Sequence, residues 1–403
     1  MILDHQVGSE QVPWRHGFDH GVEPSVLAGF PYVWDDLREA SRAFRSDAMP
    51  WTMWYLTRFD DVQAALQRHD LFSSEQVNYN VTDTHKWIPA QIDPPDHTQY
   101  RVVITPLLGV AAMASMEPGI RDIARRLVDE IVAAGGTGCD FVDRFARRLP
   151  SGVFMQLLGL PTEEADTFLA WAGEMLLTNN AQDPTGSIRK QAARTIYRYL
   201  GDTIAQRRER PGDDVVSRLL DAQVGDRPIT DAELLEICFL FYVAGMDTTS
   251  GVLSYVFQHL AQRPDHRRLL RERPHMIEPF VEECLRYYSI VATSRVVRDD
   301  VEFAACPMHA GDRIVVSTTG ANRDPRHFPN ADEFVIDRSP NRHLAFGAGI
   351  HRCVGAPLAR LEVRIAVQEW LRTFPEFSID PHVPITQHVG GSAGLDNLPL
   401  VWS

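Results

Sequence analysis

The hydrophobic pattern of the chain is dominated by one long segment. After Thr230 the sequence runs without proline to Pro264, and from Ile237 to Val243 it is apolar nearly all round. A helix that is apolar on every side belongs inside a molecule, so the segment predicts a buried core helix of about thirty residues. Thr230 with Glu233 three residues later marks its start as a capping box, which satisfies two backbone N–H groups left open at a helix end. APLARLEVRIAVQEWL, beginning at Ala356, reads as an amphipathic helix. In DPPDHTQYR, prolines open another helix and place His97 and Arg101 four apart on one face. Trp54–Arg58 and Arg313–Thr318 alternate or are β-branched and read as strands. They lie far apart along the chain, so a sheet that joins them is non-local.

A length of 403 residues by itself suggests two or three domains. No repeat, low-complexity stretch or linker divides the chain, however. The expectation is one domain over residues 1–403, mainly α with a smaller β region. With 44% hydrophobic residues the chain can bury a large core, and 40 Lys+Arg against 54 Asp+Glu argue against a nucleic-acid partner. The start, MILDHQVGSEQVPWRHGFDHG, lacks the apolar stretch of a signal peptide. The longest apolar run, Ile237 to Met246, is roughly half of a membrane span. The expected location is therefore cytoplasmic, with no membrane. Five scattered cysteines without a CxxC pair fit a reducing compartment.

Within the long helix sits Ala244-Gly245-Met246-Asp247-Thr248-Thr249-Ser250-Gly251, against every rule of helix propensity. One reading is a polar patch at a helix bend. The other is a site where glycine lets a flat ligand approach while an acid and a hydroxyl manage protons. Further on, Phe346-Gly347-Ala348-Gly349-Ile350-His351-Arg352-Cys353-Val354-Gly355 leads into the amphipathic helix. Glycines around Cys353 permit a tight backbone, the helix N-terminus favours a thiolate, and Phe346 can shield the sulfur. A lone cysteine is more often inert and buried. This setting suits instead a sulfur ligand to a single metal centre.

Phe346, Gly349, Cys353 and Gly355 in the pattern FxxGxxxCxG resemble the heme-ligand loop of the cytochromes P450. Ala244-Gly245-x-Asp247-Thr248 resembles their oxygen-activation motif, and Glu283-x-x-Arg286 their ExxR motif. ExxR alone is a weak pattern, but the order of the three motifs is specific. The resemblance runs from Trp54 to Trp402. It is strongest to the bacterial camphor monooxygenase group, which AQVGDRPIT and NLPLVW resemble.

The resemblance implies the cytochrome P450 fold, a helix-rich lobe plus a β-rich lobe around a buried heme b (iron protoporphyrin IX). Cys353 becomes the axial metal ligand, a thiolate that pushes electron density onto the iron. Asp247 and Thr248 become the catalytic pair that delivers protons. His97, Arg101, Arg295 and His351 become partners of the heme propionates, and Ala244, Phe346 and Gly355 join them in the cofactor site. Glu283 and Arg286, with Arg338, become a structural network behind the cysteine loop. His85, Trp87, Leu240, Val243, Val291, Thr293, Ser392 and Ala393 are placed around the substrate. His85 stands where the camphor enzymes carry a ketone-binding tyrosine, and Ser392 and Ala393 where they carry bulkier aliphatic residues.

The expected activity is hydroxylation of a small apolar substrate, a terpenoid or norisoprenoid ketone of ionone type. Camphor, another monoterpenoid or a small aromatic is the alternative. Electrons would come from a 2Fe–2S ferredoxin with its NAD(P)H-dependent reductase, docking on a patch that Arg101 and Arg352 help supply. Three rivals differ in class. Gly390-x-Ser392-x-Gly394 matches a serine-hydrolase elbow, but no histidine follows it. A heme protein that binds a ligand without turnover leaves Asp247 and Thr248 without a task. Peroxide-driven variants usually depart from that pair.

Overall fold

The long apolar segment folds as one helix, Asp231–Gln262. Its first turn carries the capping box: the Glu233 N–H donates to Thr230 Oγ1 at 3.3 Å, and the Thr230 N–H donates to Glu233 Oε2 at 2.8 Å. By length and apolarity this helix is able to cross a membrane. Ile237, Cys238, Phe239 and Tyr242 are nevertheless wholly buried within the protein, as in a core helix.

The computed structural model describes residues 13–49, 51–75, 86–178, 183 and 185–402; the sequence candidate His85 lies outside the described residues. The chain forms two compact units. One comprises Met1–Val77, Glu278–Cys353 and Gln387–Gly394; the other comprises Asn78–Ile277, Val354–Thr386 and Leu395–Ser403.

The first unit is built on a five-stranded sheet of β1 (Ala43–Ser46), β2 (Met53–Leu56), β3 (Phe72–Ser73), β4 (Ala292–Val297) and β5 (Arg313–Ser317), in the order β1-β2-β5-β4-β3. The two strands legible in the sequence, β2 and β5, lie side by side and parallel, with Ile314 opposite Trp54 and Val316 opposite Leu56. The remaining neighbours pair antiparallel. Trp54, Leu56, Ile314 and Val316 join Phe59 and Val62 in one apolar cluster, and Tyr55 stacks on Phe44 with ring centroids 4.9 Å apart. A strand buried on both faces loses its polar alternation, which is why Met53–Leu56 is apolar throughout.

Both strands end short of the predicted limits for a local reason. Arg58 is the N-cap of helix Phe59–Gln67, and Ser317 caps helix Thr318–Asn322 by accepting the Gly320 N–H at 3.1 Å. The chain leaves the sheet where the next helix needs its first N–H groups satisfied.

The second unit is mostly helical. Asp231–Gln262 packs against Arg148–Leu157, Ser187–Glu209 and Ala356–Thr373, and the last of these also runs along Val110–Ala133. Phe141 clamps the assembly, its ring centroid 4.1 Å from that of Phe257 and 4.8 Å from that of Trp370. Such large buried rings contribute about 1.5–3 kcal/mol each.

Candidate functional site

The loop before Cys353 is shaped by backbone demands. Asn322, buried in the first unit, accepts the Leu344 N–H at Oδ1 (2.7 Å) and donates from Nδ2 to Ser289 Oγ (2.9 Å). The chain then turns through Gly347 and Gly349, at φ +68° and +70°, where an L side chain is strained. A Cβ added at Gly349 would stand 2.4 Å from the Leu66 carbonyl oxygen, so glycine is required there by space as well. A 3₁₀ turn, Gly349–His351, follows, and the Cys353 N–H donates back to the Phe346 carbonyl at 2.9 Å. Three residues later the helix Ala356–Thr373 begins, with Gly355 as its N-cap.

Cys353 is the exposed member of the five cysteines. Burial pushes the thiols of Cys139 and Cys238 up to about 12 and that of Cys306 up to about 11, and raises Cys284 well above the ordinary value. Those four hold their protons at neutral pH.

Glu283, Arg286 and Arg338 come together behind this loop, in the same unit. Arg286 meets the Glu283 carboxylate through Nε (2.9 Å) and Nη2 (2.8 Å), and Arg338 Nε donates to Glu283 Oε1 at 3.1 Å. Glu283 also accepts the Val335 N–H at 2.9 Å and Asn341 Nδ2 at 3.1 Å. Arg286 spends its remaining donors on the carbonyls of Asn322, Ala331 and Glu333, at 2.9, 2.8 and 2.8 Å. His343, five residues after Arg338, pairs with Glu282 at 3.2 Å. Every contact of this network is structural; it ties the segment 322–341 to the helix Ile277–Tyr287.

The central helix carries the second group of candidates. Between Phe239 and Ser250, the residues that keep surface are Leu240, Val243, Ala244, Gly245, Asp247 and Thr248, and the rest are buried. Steps of three and four put this set on one face. Asp247 keeps part of its surface, so its carboxylate is not shut away from water. The Thr248 hydroxyl donates to the Ala244 carbonyl one turn back, at 2.7 Å, which accommodates a hydroxyl inside a helix. A Cβ built on Gly245 would meet no atom within 4 Å, so packing does not demand glycine there.

The four cations assigned to propionates divide between the units. Arg295, on β4, is buried and donates to the Ser294 carbonyl at 2.6 Å; His351 closes the 3₁₀ turn and is half-buried. In the second unit His97 and Arg101 sit one turn apart on helix Asp96–Ile104, His97 buried and Arg101 half-buried.

Among the substrate candidates, Val291, Thr293, Ser392 and Ala393 are brought together in the first unit. The Ala393 N–H donates to the Ile290 carbonyl at 3.0 Å, and the Ala292 N–H to the Gly391 carbonyl at 3.2 Å. Val291, Thr293 and Ser392 keep some surface, whereas Ala393 is buried. Trp87, in the second unit, packs 6.1 Å (ring centroids) from Phe239 of the central helix. The Asn322 tether escaped sequence reasoning, because no motif or spacing links it to Leu344 or Ser289.

The donor set fits the heme that the sequence resemblance implies. Among the described residues no cluster of three or more His, Cys, Asp or Glu side chains is arranged to hold a metal ion. A single exposed sulfur is what a metal chelated by its own macrocycle requires from a protein. A helix face of small and apolar residues ending in Asp247 and Thr248 suits a flat apolar group.

Comparison with known proteins agrees. The cytochrome P450 family model matches residues 37–394. Mycinamicin IV hydroxylase/epoxidase of Micromonospora griseorubida is 35% identical over 361 residues, covering 87% of this chain and 89% of that protein. The polyketide biosynthesis cytochrome P450 PksS of Bacillus subtilis is 33% identical over 339 residues, covering 81% and 82%. The crystal structure of cytochrome P450 CYP101C1 superposes with a TM-score of 0.87 at 31% identity over 96% of this chain and 98% of that one. Motifs, fold and relatives thus converge, and the chain belongs to the cytochromes P450, monooxygenases whose cofactor is heme b.

Proposed function

We propose that this enzyme hydroxylates a small apolar ketone of terpenoid or norisoprenoid type, with Cys353 as the residue whose thiolate would hold its heme. The observation that carries the reading is the accessible face midway along a core helix, Leu240, Val243, Ala244, Asp247 and Thr248. Its apolar end offers a wall to substrate, and its polar end an acid beside a hydroxyl. The heme, when bound, supplies oxygen activation. The chain's own groups do the rest. Asp247, half-exposed, exchanges protons with water, and Thr248 presents a hydroxyl that can pass one on after releasing the Ala244 carbonyl. His97, Arg101, Arg295 and His351 would hold the propionates by charge-assisted hydrogen bonds. Val291, Thr293, Ser392 and Ala393 would close the substrate cavity with small side chains, and Trp87 would add an aromatic wall.

Electrons would arrive from a 2Fe–2S ferredoxin and its NAD(P)H-dependent reductase, in the cytoplasm. A polyketide substrate is the second reading, favoured by the identity to PksS and to the mycinamicin IV hydroxylase.

The test begins with the ferrous carbonyl spectrum. The purified protein should give a strongly red-shifted Soret band, and Cys353→Ala should lose it. Spin-state titration with β-ionone, camphor and mycinamicin IV then ranks the substrates. A full shift with camphor and none with β-ionone would overturn the substrate assignment.

A further inference from the structure

His20 lies outside every motif of the family resemblance, yet it is built into the first unit with unusual care. Its Nδ1 stands 3.3 Å from the Tyr55 hydroxyl and 3.7 Å from Asp19 Oδ1, and the ring also hydrogen-bonds to the backbone of Gly390. Gly21 lies beside the same turn, where a Cβ would meet Gly390 Cα at an ordinary contact distance of 3.6 Å. Seven residues on, the Gln387 side chain donates to the Leu27 carbonyl. On its other side the turn is bonded to the segment before and within β4, through Ala393 N–H to Ile290 and Ala292 N–H to Gly391. The turn 390–393 is thus held between an N-terminal strap and β4.

The strap rests on a rigid base. Tyr55, in the middle of the sheet, stacks on Phe44 at 4.9 Å and takes Phe18 edge-on at 5.1 Å, and the Trp34 ring lies 6.4 Å from that of His20. We infer that His20 is a positioning residue that fixes the turn 390–393 against β4, and thereby sets how much room the enzyme gives its substrate beside Ser392. Burial holds the His20 imidazole below its usual value, so the ring is neutral at pH 7. A neutral imidazole that accepts the Tyr55 hydroxyl at Nδ1 carries its proton at Nε2, where it donates to a backbone carbonyl. His20 therefore transmits the position of the sheet to the turn. The specificity half of this inference rests on the placing of Ser392 and Ala393 at the substrate, given under the proposed function; the positioning half does not.

The experiment uses the full-length, heme-loaded protein and two readouts. Hydrogen exchange reports on the amides of Ala292 and Ala393, and spin-state titration compares β-ionone with camphor. Loss of one net hydrogen bond predicts that His20→Ala speeds exchange at both amides about fivefold to tenfold, with the same change in the ratio of the two dissociation constants. His20→Gln, whose amide can still donate to Gly390, should return both to within about twofold of the parent. Tyr55→Phe keeps the ring stack and removes the hydroxyl that meets both Nδ1 and the backbone of His20; it should move both readouts the same way, and it stands in if His20→Ala does not fold. Unchanged exchange in these variants overturns the inference outright. Faster exchange with an unchanged ratio overturns the placing of Ser392 and Ala393 at the substrate, and leaves His20 holding a turn without consequence for selectivity.

Discussion

Arg286 and Glu283 face each other across one helical turn through two hydrogen bonds, and neither side chain has any surface. An exposed pair at this spacing contributes a few tenths of a kcal/mol. Here the carboxylate answers two guanidinium groups, Arg286 and Arg338, the Asn341 amide and the Val335 backbone N–H. Removing one member of a buried pair leaves an uncompensated charge, at about 3–5 kcal/mol. Glu283→Ala should therefore lower stability by that amount in a urea titration and reduce the heme retained on purification. Arg286→Lys should fare little better, because one ammonium cannot reach both carboxylate oxygens and three carbonyls. A Glu283→Ala protein as stable as the parent would exclude this role.

Much of this was legible in the sequence where the signal is local. The capping box at Thr230, the two strands and the glycine-rich loop at Cys353 each follow from residues within a few positions of one another. Distance hid the rest. Nothing in the neighbourhood of Asn322 announces that it braces Leu344, and nothing near His20 announces Gly390, 370 positions away. The predicted strand ends at Arg58 and Thr318 also failed, because a following helix claimed Arg58 as its N-cap and Thr318 as its first residue. The apolar run Ile237–Val243 announces a core helix, but it does not tell which residues of the polar stretch that follows, Asp247 among them, keep surface.

Glu362 gives a pH dependence of defined sign. It lies in the helix after Cys353, 3% exposed, and its Oε2 has no hydrogen-bond partner among the described residues. Burial pushes its carboxyl up to about 8 from an ordinary 4.5. Between those values the folded protein keeps a proton that the unfolded chain has lost, so its contribution to stability falls as pH rises through the window. Glu362→Gln, neutral and of the same shape, should remove that slope. Its gain should be near zero at the acid end and on the order of a few kcal/mol at the alkaline end. Urea midpoints at the two ends decide it; equal effects at both would show that the carboxyl does not titrate there.

Thr248 separates binding from proton handling. Thr248→Val keeps the shape of the side chain and removes the hydroxyl that donates to Ala244. Substrate-induced spin shifts should then keep their midpoint, while product formed per NADH oxidised falls roughly tenfold or more, with peroxide released instead. Unchanged coupling would assign the hydroxyl to helix structure alone.

Gly347 and Gly349 offer a comparison in which backbone conformation is held constant and only space differs. Both have positive φ, +68° and +70°, so alanine at either meets the left-handed penalty of about 1–2 kcal/mol. At Gly347 that is the whole effect, since a new Cβ has no neighbour within 4 Å. At Gly349 the Cβ would press on the Leu66 carbonyl at 2.4 Å and on Gln67 Cα at 3.0 Å, both backbone atoms that cannot rotate away. The loop must shift, adding about 1–3 kcal/mol. Because the Cys353 N–H is bonded to Phe346 within this loop, the shift reaches the sulfur. Gly347→Ala should thus keep the thiolate signature of the ferrous carbonyl form with a small drop in melting temperature. Gly349→Ala should lose more stability and convert a sizeable fraction of the protein to a form without that signature. Equal losses in the two variants would mean that Leu66 yields freely, and that Gly349 serves the turn by its conformation only.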